Sequence, residues 1–118
     1  MTDANADKRK HPRVDYNQPS TFRVLVFNGS QFKILSQKDF TGELINISVS
    51  GVCLSCPIAL QLDSIIGLRF EIPNATITVK GKVAWSTPAG DGFKVGIEFE
   101  NLDPDQFIRI DEFVNEKN

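Results

Sequence analysis

Apolar and polar residues alternate along most of this chain with a period of two, the repeat of a strand buried on one face. Phe22, Val24 and Val26 share one side of a strand over Thr21–Phe27, with Leu25 and Phe27 on the other. Asn28-Gly29 predicts a tight hairpin, because a two-residue type I′ turn needs φ > 0 at both positions. Gln31–Ser36 is the returning strand, and a loop over Gln37–Thr41 leads to Gly42, which opens a central strand that Pro57 ends. Ile66, Leu68, Phe70 and Ile72 mark a fourth strand, Ile65–Ile72, which stops at Pro73-Asn74. In a fifth, Ala75–Trp85, the set Ile77, Val79, Gly81, Val83 and Trp85 alternates with Thr78, Lys80 and Lys82, giving one wet face. That phase assigns Trp85 to the core or the barrel rim. Pro88–Gly92 turns, and Phe93–Phe99 is the sixth strand.

The period then changes. Asp103 is an N-cap, Pro104 occupies the first helical position and Gln106 the third. Phe107, Ile110 and Val114 follow at helical spacing, so a short amphipathic helix runs from Pro104 to about Asn115. Six short strands and one helix predict a mostly β protein, a small antiparallel β-barrel with a C-terminal α-helix. The first eight residues show no periodicity and are expected to be a disordered tail. Residues 9–19 are a flexible arm, 20–102 the barrel and 103–115 the helix, so that 9–118 forms one domain.

Composition narrows the function. At 118 residues, with 41% hydrophobic and 24% charged side chains, the chain is a globular domain of ordinary size. Its net charge of −2 offers no global field for a nucleic-acid polymer. The charge is segregated, however. Met1–Arg13 carries four Lys/Arg against two Asp, while Glu98–Asn118 carries seven acids against two bases. No signal peptide is visible in the polar first thirteen residues, and no apolar run reaches the roughly 20 residues expected of a membrane helix. Cytoplasmic localisation is expected.

The chemistry concentrates in Glu43–Leu54. In an extended chain Leu44, Asn46 and Ser48 share one face and Ile45, Ile47 and Val49 the other. A carboxamide and a hydroxyl then lie side by side on a surface backed by core. Gly51 lets the backbone turn or something approach closely. Asn, Ser and Gly between apolar runs are also ordinary turn chemistry. Cys53 and Cys56 have redox or zinc spacing, yet no second pair or nearby His completes a ligand set. Three residues apart in a strand, they point to opposite faces about 10 Å apart, beyond disulfide reach. His11 is the lone histidine and is expected to be exposed; with no metal cluster, nucleophile elbow or phosphate loop, no enzyme constellation is present.

A second element lies upstream, where Arg9 and Arg13 frame Lys10-His11-Pro12. An R-x-x-x-R tail followed by Asn46-x-Ser48-x-x-Gly51 resembles the PilZ domain family, receptors for the bacterial second messenger cyclic di-GMP. Gly81-Lys82-Val83-Ala84-Trp85 resembles that family's G-x-V-x-W strand, and Val95-Gly96-Ile97-Glu98-Phe99 its closing strand. The resemblance spans about Arg9 to Leu102 and implies the same PilZ-like split barrel.

It also implies a site and a ligand. Arg9 and Arg13 would take guanine edges and phosphates, since the guanidinium fork binds guanine O6 and N7 together and pairs with phosphate. Asn46 and Ser48 would take the remaining contacts and Gly51 would leave room for the ligand, with Lys8 and Lys10 as secondary candidates. Asn46 stands where many relatives carry Asp, which removes a charge-assisted contact. The expected function is a cyclic di-GMP receptor, without cofactor or metal, whose arm reorders on binding and signals to an unidentified effector protein of motility, biofilm or envelope systems. One rival is a PilZ-like adaptor acting through protein contacts with weak or no nucleotide binding. Another is a barrel for single-stranded nucleic acid, which lacks here the aromatics that should accompany Lys80 and Lys82.

Overall fold

Strands come before helix, and each strand's partner is antiparallel. The structure, a computed structural model, describes residues 12–28, 31–34 and 39–117. Its elements are β1 (Val14–Asn28), β2 (Gln31–Ile34), β3 (Phe40–Ile47), β4 (Gly51–Cys56), β5 (Ile65–Ile72), β6 (Ala75–Ala89), β7 (Gly92–Glu100) and α1 (Pro104–Lys117). The order β1-β3-β4-β7-β6-β5 closes on itself because β5 also pairs with β1, from Leu25↔Ile65 to Ser20↔Phe70. Six strands therefore form a closed barrel, as expected, and closure leaves few exposed edges. The six are not the same set that alternation suggests. The central apolar stretch is two strands, β3 and β4, joined by a turn at Ser48–Ser50, and β2 is a short flap on the far end of β1. The β1–β2 register pairs Asn28 with Gln31, so Asn28 belongs to the strand.

β1 also starts earlier than Thr21. Val14 is buried and pairs with Ile47, and Asp15 pairs with Asn46. The second half of the expected arm is thus strand, because Val14 and Tyr16 have apolar surface to cover despite the polar residues between them. Tyr16 lies edge-on to Phe113 of α1, ring centroids 4.7 Å apart, and its hydroxyl donates to the Glu71 carbonyl at 2.9 Å.

The core is filled by inward residues of every barrel strand, among them Phe22, Leu44, Leu54, Phe70, Ile77, Val83 and Val95, each at most 1% exposed. α1 closes the barrel with Ile110, Phe113 and Val114, which recur on one helical face. Its start is fixed by the Asp103 carboxylate accepting from the Gln106 amide at 2.8 Å. Gln106 and Arg109 then donate to the Thr78 and Asn74 carbonyls at 3.2 Å each, tying the helix to the β5–β6 hairpin. No described helix is long and apolar enough to cross a membrane.

Three register shifts interrupt the ladders: in β1 between Asp15 and Gln18, in β3 between Leu44 and Asn46, and in β6 between Val83 and Trp85. An extra residue reverses which face the following side chains take. Leu44 and Ile47 both enter the core, so Leu44 does not share a face with Asn46. Trp85 leaves the phase of Val79 and Val83 and is 39% exposed, which excludes the core alternative of the core-or-rim expectation.

Candidate functional site

The three irregularities border one strip of the outer barrel surface. Cross-strand partners share a face, and the registers Asp15↔Asn46, Asn46↔Cys53, Cys53↔Gly96 and Gly96↔Trp85 define a row across β1, β3, β4, β7 and β6. Next to it on β1, β3, β4 and β7, Val14, Ile47, Val52, Leu54, Val95 and Ile97 point into the core, and on β6 Trp85 itself is 39% exposed. The row therefore points outward, and its four interstrand spacings span about 19 Å.

Asn46 sits near one end. Its Oδ1 is buried and has no hydrogen-bond partner. Such an orphaned acceptor costs about 1–3 kcal/mol, so the position is incomplete as it stands. Asp15 beside it is exposed and, among the described residues, forms no ion pair.

Ser48 behaves differently. It is 1% exposed, and its Oγ accepts from the Ser50 amide at 3.1 Å and lies 2.9 Å from the Ser50 hydroxyl. The Ser48 amide donates to the Gly51 carbonyl at 2.9 Å. These bonds build the β3–β4 turn, so Ser48 holds the loop in shape instead of offering a free hydroxyl beside Asn46. Gly51 faces β7: an added Cβ would lie 2.1 Å from the Ile97 carbonyl oxygen. The missing side chain here admits a backbone, where the expectation was room for a ligand.

Arg13 is exposed, immediately before β1. Arg9, Lys8, Lys10 and His11 lie outside the described residues. Burial pushes the Cys53 thiol above its ordinary pKa, while the charges of Lys94 and Arg13 pull it partly back. Two cations therefore act on the middle of the row. Both cysteines are free and buried; Cys56 joins the core and Cys53 does not. At the far end, the Trp85 indole covers Gly96, where a Cβ would fall 2.1 Å from Nε1. The row is thus a small platform: an aromatic end, a flat middle flanked by cations, and an acceptor end.

Lys94 and the exposed placement of Trp85 escaped sequence reasoning. The G-x-V-x-W motif was visible, but the register shift that turns Trp85 outward leaves no mark in the alternation. A neighbouring groove of about 570 Å³ is lined by Glu43, Asp91, Cys56 and other residues that include no Lys or Arg. It suits an anionic ligand poorly. No group of three or more His, Cys, Asp or Glu residues suited to a metal occurs among the described residues.

The family model described as PilZ domain matches residues 7–116. Among solved structures, the Bacillus subtilis inhibitor of motility MotI/DgrA superposes with TM-score 0.77 at 12% identity, over 92% of this chain and 50% of its own. The chain thus spans half the length of that protein. The PilZ domain of YcgR from Escherichia coli, solved with c-di-GMP, gives TM-score 0.67 at 10% identity, over 93% of this chain and 91% of that one. A tetrameric PilZ domain protein from Xanthomonas campestris, self-assembled through a helical bundle, gives 0.65 at 13%, over 91% and 87%. No curated protein sequence matches.

Proposed function

Because the chain belongs to the PilZ domain family, we propose that it is a non-catalytic receptor for cyclic di-GMP, with the ligand seated on the outer row from Asn46 to Trp85. One observation carries this reading. The Asn46 Oδ1 is a buried acceptor without a partner, and guanine N1–H and N2–H are donors able to satisfy it. Arg13 immediately precedes β1, two residues before Asp15, which pairs with Asn46, and this supports its reaching a ligand on the row. Arg9 completes the R-x-x-x-R pair, Lys8 and Lys10 are secondary contacts, and Ser48 and Gly51 act by shaping the turn that presents Asn46. Structural relatives solved with c-di-GMP support the choice of ligand.

Binding is expected to fix the segment around Arg9 and Arg13 over the row. Ordering five backbone residues costs about 5–10 kcal/mol at 1–2 per residue. Charged hydrogen bonds return about 1.5–3 kcal/mol each, so several must form together. The folded segment remakes the surface that an effector protein meets. The adaptor reading draws support from Phe107 and Ile108 on α1, 42% and 55% exposed.

Titration calorimetry with cyclic di-GMP separates the two readings. Saturable binding that Arg13→Ala removes, with thermal stability unchanged, is the result expected of a receptor. Absence of binding by the unaltered chain overturns it.

A further inference from the structure

The receptor reading leaves open how the site distinguishes guanine from other bases. Among the site candidates, Asn46 is the neutral counterpart of an aspartate, and on its own it offers a single acceptor atom. Directly across the β1–β3 ladder stands Asp15. Paired residues of antiparallel strands place their Cβ atoms about 4.5–5.5 Å apart on one face. Since the next pair, Val14 and Ile47, is buried in the core, Asp15 and Asn46 both look outward.

Both groups lack a partner. The Asn46 Oδ1 has none, and the Asp15 carboxylate makes no ion pair or hydrogen bond with the described residues. A register shift follows Asp15 at once, and another immediately precedes Asn46. Both strands thus depart from regular pairing where the two acceptors meet.

We propose that Asp15 and Asn46 together read the Watson–Crick edge of one guanine, Asn46 accepting from N1–H and Asp15 from the N2 amino group. Two acceptors side by side match the two adjacent donors of guanine. Adenine presents a donor next to an acceptor on that edge, and its ring N1 would face a carboxylate or carbonyl oxygen. The unpaired acceptor then leaves the mismatch uncompensated, the arrangement that gives strong discrimination. A carboxylate near an anionic dinucleotide is repelled by the phosphates unless it gains such hydrogen bonds, and Arg13, two residues away, offsets its charge. Asp15 thereby restores the charge-assisted contact that Asn46 does not provide.

This inference rests on the receptor reading, and one experiment separates their failures. The full chain and its Asp15→Ala and Asp15→Asn variants are titrated with cyclic di-GMP and with cyclic di-IMP, the inosine analogue that lacks the 2-amino groups. The unaltered chain is expected to prefer cyclic di-GMP by about tenfold or more, the scale of a charged hydrogen bond. Asp15→Ala should weaken cyclic di-GMP by a similar factor and reduce the preference to within about twofold. Asp15→Asn, isosteric and able to accept one bond, should fall between. Circular dichroism confirms that the exposed substitutions leave the fold intact. If Asp15→Ala keeps the full preference, or weakens both ligands equally, this inference is overturned while the receptor reading stands. Should the unaltered chain bind neither dinucleotide, both are overturned.

Discussion

Gly51 is the sharpest test of the distinction between a ligand contact and a packing position. In Gly51→Ala the new Cβ would sit 2.1 Å from the Ile97 carbonyl oxygen, 3.1 Å from its carbon and 3.3 Å from the Glu98 Cα. Ordinary contact begins at 3.4 Å, so β4 and β7 must separate by about 1.3 Å, and only backbone stands in the way. The strands are joined there by the pairs Gly51↔Glu98 and Val52↔Ile97, and the flanking turn by the Phe99 amide donating to the Ser50 carbonyl at 2.9 Å. Overpacking of this kind costs about 1–3 kcal/mol, and one lost hydrogen bond adds about 0.5–1.5. The expected loss is therefore about 2–4 kcal/mol, a large part of the 5–15 kcal/mol that holds a typical domain together. Urea denaturation followed by the fluorescence of the single tryptophan and by circular dichroism measures it. At a slope of about 2 kcal/mol/M, the midpoint should fall by about 1–2 M. A loss below about 0.5 kcal/mol would refute the packing argument and return Gly51 to the ligand.

Three further outcomes follow from the same geometry. Gly96→Ala meets the Trp85 side chain and no backbone, so the indole should swing outward, with red-shifted emission and weakened cyclic di-GMP binding but a stability loss under about 2 kcal/mol, at the low end of overpacking costs; unchanged emission would contradict it. Ser20→Ala removes a buried hydroxyl that has no partner, and stability should hold or rise by about 1 kcal/mol, since an orphaned hydroxyl carries a desolvation cost without return. A loss of more than 1 kcal/mol in urea denaturation would show that Ser20 is satisfied in solution. Burial raises the Cys53 and Cys56 thiols, and burial with the nearby Glu71 raises Tyr16. Each favours its protonated form when folded, so their contribution is complete below the ordinary values of 9.0 and 10.0 and is lost as pH climbs through the raised ones. Thermal stability should accordingly decline above about pH 9, and a flat profile to pH 10.5 would count against burial of these groups.

The strands, the helix start and the motif residues were legible in the sequence because each depends on a few neighbouring positions. Alternation at Ile66, Leu68, Phe70 and Ile72 states that one face is buried, and Asp103-Pro104 states where a helix begins, wherever the rest of the chain goes. Which faces meet was not legible. Register shifts beside Asp15, Ile45 and Ala84 turned Trp85 outward and split Leu44 from Asn46, and a shift costs nothing that local pattern records. Closure through β1 and β5 joined residues far apart in the chain, demoted β2 to a flap and divided the central stretch in two. The row from Asp15 to Trp85 exists only because five strands lie in that order. Sequence fixes what each residue prefers within a turn or a strand; long-range pairing, settled by burial over the whole barrel, decides which of those preferences end up side by side.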